Sequence, residues 1–173
     1  GPEGCLLITN LAQRSDDCGR TWRSLDVPLA WSLLADPRSA GKLYAHGSLS
    51  RSAWQPALFV SEDWGGRWRS EPLTEVISNI ALDPHVSGRL YLLGAGEILA
   101  TEDLGRIVTR VRKMDVTDPG LPGIGFRLEA DLRTGSLLLI QGGRAWETKD
   151  SFESLQEIAA SPRGLYSLGA AGL

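Results

Sequence analysis

Short apolar runs separated by clusters of Gly, Asn, Ser and Asp dominate the chain, and no window of about 11 residues sustains helical spacing. The runs recur in register. "GCLLITNLAQRSDD", "LYLLGAGEILATED" and "LLLIQGGRAWETKD" superpose without a gap, each an apolar run, a Gly/Asn turn and a second strand-like run. A further copy, "LYAHG" then "ALFVSED", carries extra residues between its runs, through Ser48 to Gln55. Upstream of three of these hairpins another apolar run ends in Asp36, Asp83 or Asp131. One unit therefore reads as four antiparallel strands, A to D, and the chain as all-β.

A polar motif closes each hairpin. It reads Ser15-x-Asp17-x-Gly19 with Trp22, then Ser61-x-Asp63-x-Gly65 with Trp68, then Thr101-x-Asp103-x-Gly105, then Thr148-x-Asp150 with Phe152 in place of the glycine. The four aspartates stand 46, 40 and 47 residues apart, the length of one propeller blade. A tight turn leaves backbone N–H groups without ladder partners, and Asp and Ser/Thr side chains accept such bonds locally. Gly19, Gly65 and Gly105 are expected at positive φ. Trp22 and Trp68 are expected to bury their rings against the neighbouring unit.

The motif resembles the Asp-box, or BNR repeat, of sialidases, sortilin-type receptors, some glycoside hydrolases and assembly factors similar to the Ycf48 family. The resemblance covers nearly the whole chain. It implies a β-propeller in which each box is a structural turn on a blade rim, away from any catalytic centre.

The first unit begins in strand B, and the spacing after the last box places a strand A at Gly164. Three strands at one end and one at the other make one shared blade. The expectation is a single domain over residues 1–173 with four blades, at 1–26 plus 164–173, 30–72, 77–112 and 126–158. A four-bladed monomer leaves no free sheet edge. A half-ring completed by a second copy to eight blades, and a fragment of a longer propeller, are the competing arrangements.

Composition narrows the function classes. The net charge is -3, from 18 Lys and Arg against 21 Asp and Glu, and no run of like charge points to nucleic acid or an anionic membrane surface. No apolar run approaches the roughly 18 to 20 residues of a membrane span. The opening Gly1-Pro2 looks like the remnant of a cleaved tag, so the lack of a leader is silent about export. Cys5 and Cys18 make a poor metal site. A disulfide between them would close a short loop and imply an oxidising compartment, a periplasm or the exterior; two reduced thiols are the alternative. No metal and no cofactor are expected.

The candidate sites lie where the repeat is broken. The insertion in the second blade carries His46, Arg51 and Trp54, with both His46 and His85 expected in loops. The long connection from Lys113 to Gly125 is the other departure. Trp31, Trp64 and Trp146 raise sugar stacking, with Trp146 expected in the core and Trp64 exposed on the rim. Arg127, Glu129 and Tyr166 on strand A positions assemble no sialidase-type triad, and the regular placement of Asp36, Asp83 and Asp131 marks turn formers. The sequence therefore predicts no catalytic residue. It points to a protein-interaction or assembly module outside the cytoplasm, with His46, Arg51, Trp54 and Trp64 as binding residues. The alternative is a carbohydrate-binding propeller or a remnant of a glycosidase.

Overall fold

The computed structural model describes residues 7–9, 12–27, 29–113, 127–141 and 144–160. Cys5, Tyr166, most of the Lys113–Gly125 connection and the expected strand at 164–173 lie outside them.

The described residues form four antiparallel sheets. The first has three strands, β1 (Leu7–Ile8), β2 (Gln13–Ser15) and β3 (Arg23–Ser24). The second has β4 (Ala30–Ala35), β5 (Leu43–Ser48), β6 (Pro56–Ser61) and β7 (Arg69–Pro72). The third has β8 (Asn79–Leu82), β9 (Leu90–Leu93), β10 (Glu97–Thr101) and β11 (Thr109–Lys113). The fourth has β12 (Arg127–Asp131), β13 (Ser136–Gln141), β14 (Arg144–Thr148) and β15 (Gln156–Ala160). In every sheet the strands lie in sequence order, as a chain of hairpins requires.

Burial varies across a sheet for a physical reason. β5, β6 and β9 occupy the middle of their sheets with both faces covered, so they are buried almost throughout and read as continuous apolar runs. The outermost β7 (RSEP) and β11 (TRVRK) are largely exposed, and their charges suit unpaired edges.

The chain divides into two compact units, Gly1–Val76 with Leu104–Arg106, and Ile77–Asp103 with Ile107–Leu173. In the first, Ala45, Ala57 and Phe59 form a buried cluster against which Val27, Ala30, Leu49 and Trp68 pack. Its two sheets are joined by Arg14, which donates to the Trp64 carbonyl at 3.0 Å, and by Leu25, whose side chain fills the space a Cβ on Gly65 would need. Leu73 fills the equivalent space beside Gly105. In the second unit Tyr91, Leu93 and Ile98 share a core with Leu128, Leu139 and Phe152. The backbone N–H of Leu128 donates to Asn79 Oδ1 at 2.9 Å, tying β12 to β8.

Two aromatic expectations change. Trp22 is 43 % exposed rather than buried against a neighbour, and its indole N–H donates to the Gly19 carbonyl of its own turn at 3.0 Å. Trp68 is half-buried, but against Ala45, Ala57 and Phe59 of its own sheet rather than against a neighbouring unit.

Candidate functional site

The repeated turns share one geometry. The hydroxyls of Ser15, Ser61, Thr101 and Thr148 donate to Oδ1 of Asp17, Asp63, Asp103 and Asp150 at 2.8, 2.8, 2.9 and 2.7 Å. The same carboxylate oxygens accept the backbone N–H four residues on, from Thr21, Arg67, Ile107 and Ser154, at 2.8 to 3.0 Å. Gly19, Gly65 and Phe152 donate their N–H groups back to the hydroxyl at 2.7, 2.8 and 3.1 Å. Each aspartate thus closes its turn.

The glycines lie at positive φ as expected, and so does the residue before each. Cys18, Trp64, Leu104 and Ser151 have φ of 62°, 62°, 63° and 58°. Two successive left-handed residues make the reversal tight enough to bring the aspartate within reach of the N–H four positions later. Phe152 adopts φ 72° without being glycine.

These bonds set the carboxylates' acidity. The Thr21 hydroxyl, then its backbone N–H and the Ser15 hydroxyl, hold Asp17 down at about 2, and the Ser154 hydroxyl and N–H hold Asp150 at about 2. The Arg67 N–H and the Ser61 hydroxyl lower Asp63 as well. Carboxylates whose folded values lie below the ordinary 3.8 stabilise the fold above that pH, and the contribution is lost as pH falls towards about 2. The urea midpoint is therefore expected to be flat between about pH 7 and 5 and to fall between about pH 4 and 2. In Asp17→Asn/Asp150→Asn the midpoint should be lower throughout but its fall shallower. A fall as steep as in the parent chain would refute the assignment.

The acids ending the first strand of each later sheet are also engaged. Asp36 Oδ1 accepts from the Arg38 N–H at 3.0 Å, Asp83 Oδ1 from the N–H groups of His85 and Val86 at 2.7 and 2.9 Å, and Asp131 Oδ1 from Arg133 and Thr134 at 2.9 and 3.2 Å. Asp36 and Asp83 are buried. All three have the environment of turn formers. Arg127 and Glu129 pair with each other at 2.7 Å on β12. Among the described residues no group of three or more His, Cys, Asp or Glu side chains is placed to hold a metal ion.

A different arrangement occupies the other end of the second sheet. Antiparallel order puts the turn after β6 at one end and both the start of β4 and the β5–β6 loop at the opposite end. Trp31 lies at a register shift between Ala30 and Ser32, a bulge that sets its ring out of the ladder's alternation. Trp54, in the loop, stacks on it with ring centres 4.7 Å apart and planes 19° off parallel. His46 meets the Trp31 ring edge-on at 5.5 Å. Trp31 is 39 % and Trp54 65 % exposed, so an indole pair stands in solvent on a folded base.

The loop that carries Trp54 is shaped by two serines. Ser48, buried at the end of β5, accepts from the N–H groups of Ser50 and Gln55 at 3.3 and 3.1 Å and donates to the Ser50 carbonyl at 2.9 Å. Ser50 accepts from the N–H groups of Ser52 and Ala53 at 3.2 and 3.1 Å. This is a built loop, carrying Trp54 onto the Trp31 ring.

The expected binding residues are thereby separated. His46 is a buried strand residue of β5, 2 % exposed, rather than a loop residue, and it supports Trp31 from behind. Arg51 is exposed in the same loop as Trp54. Trp64 is exposed, but it sits in the turn after β6 at the far end of the sheet, where its backbone N–H donates to the Gly41 carbonyl at 2.9 Å. Trp146 packs against the core of the second unit with Arg144 over its ring at 4.9 Å. His85 is exposed in the β8–β9 turn. Cys18 is an exposed thiol, and its expected partner Cys5 lies outside the described residues.

No protein-family model matches the chain, and no curated protein matches it. Solved structures do. The GH74 xyloglucanase of Xanthomonas campestris aligns at a TM-score of 0.69 with 19 % identity, over 93 % of this chain and 29 % of its own. An ancestral GH74 enzyme aligns at 0.60 with 11 % identity, over 90 % and 22 %. YCF48 bound to D1 peptide aligns at 0.47 with 20 % identity, over 81 % and 50 %. The fold is of the β-propeller type. The chain spans less than a third of the length of either GH74 structure, and at these identities the likeness is one of fold alone.

Proposed function

We propose that this chain is a non-catalytic β-propeller whose role is to bind another protein, through the end of the second sheet that carries Trp31, Trp54 and Arg51. The observation that carries this reading is the stacked, solvent-facing Trp31–Trp54 pair on a pre-shaped loop. Trp and Arg anchors dominate protein interfaces, and a loop ordered in advance spares the partner the entropy of ordering it. The aspartates that recur along the chain are engaged as turn acceptors, which supports a scaffold over a hydrolase.

The finer architecture belongs to the same proposal. Four Asp-box blades in one monomer and a location outside the cytoplasm go with this reading. A second reading, a carbohydrate-binding propeller, is favoured by the outward face of Trp54, since a bare indole also accepts a sugar ring.

Affinity capture from a lysate of the source organism, followed by a glycan array, separates the two. A partner retained by the parent chain should drop by about tenfold with Trp54→Ala, the loss of one interface anchor, and persist with Trp64→Ala. Glycan binding that disappears with Trp54→Ala, with no protein partner affected, would establish the carbohydrate reading instead.

A further inference from the structure

We draw no further inference here: the strongest candidate, the cleft at the turn end of the third sheet lined by Arg89, Glu102, Asp103 and Ile107, carries none, because Asp103 is engaged within its own turn, Glu102 lies beside Arg89, and nothing in the structure shows what covers the exposed Ile107.

Discussion

Phe152→Ala is expected to destabilise the second unit by about 3 kcal/mol or more, the usual range for removing a large buried aromatic. Phe152 is 2 % exposed and meets Tyr91 edge-on at 5.2 Å, in the core shared with Leu128 and Leu139. The informative comparison is with Phe152→Gly. In most buried positions glycine is worse than alanine, because its unfolded chain loses about 0.5–1 kcal/mol more entropy on folding. Here φ is 72°, a conformation that costs a residue with a Cβ about 1–2 kcal/mol and glycine little. The two terms oppose each other, so Phe152→Gly should match or exceed Phe152→Ala in urea-unfolding free energy. An alanine variant more stable than the glycine variant by about 1 kcal/mol would show that the left-handed backbone carries no such cost. The other three turns place glycine at this position and bury no ring there; the fourth accepts strain in exchange for core.

That trade explains which parts of the fold were legible in the sequence. The hairpin runs and the Ser/Thr-x-Asp turns depend on residues two to four apart, so spacing alone revealed the sheets, the turn aspartates and the glycines at positive φ. The second left-handed residue was invisible, because Cys18, Trp64, Leu104 and Ser151 share no side-chain chemistry that would signal it. The candidate site was half legible. The insertion marked Arg51 and Trp54, but the partner ring, Trp31, comes from a strand more than twenty residues earlier and meets Trp54 only through a bulge. His46 was misplaced because "LYAHGS" reads as a strand followed by a Gly-rich turn, whereas the ladder continues through Gly47 to Ser48. Trp22 failed to bury for a similar reason: its indole N–H found an acceptor within its own turn. The serine spacing in "SLSRS" was the available hint that the insertion was ordered, since Ser48 and Ser50 each sit two residues before an N–H they accept.

Gly47→Ala should have the larger structural effect for its size, and it links the fold to the proposed site. A Cβ on Gly47 would overlap the Leu29 carbonyl oxygen and lie 2.9 Å from the Ala30 Cα. Both obstacles are backbone, so no rotamer change relieves them. The same Leu29 carbonyl accepts the Ser48 N–H at 3.2 Å, and Leu29 itself turns through φ 39° to deliver the chain into the bulge that presents Trp31. One added methyl must push the start of β4 away from β5. The cost is expected at the upper end of overpacking, about 3 kcal/mol, against well under 1 kcal/mol for a typical exposed-loop substitution such as Ser52→Ala. Displacing β4 also moves Trp31 from beneath Trp54 and removes the roughly 0.5–1.5 kcal/mol of ring pairing that holds the platform. Two measurements on one variant should then move together: the melting temperature falls, and at temperatures where the variant is still folded, ligand affinity at Trp54 falls too. A Gly47→Ala chain that melts earlier but binds normally would mean that Trp54 is positioned by its serine-bonded loop alone, and that Trp31 is a bystander.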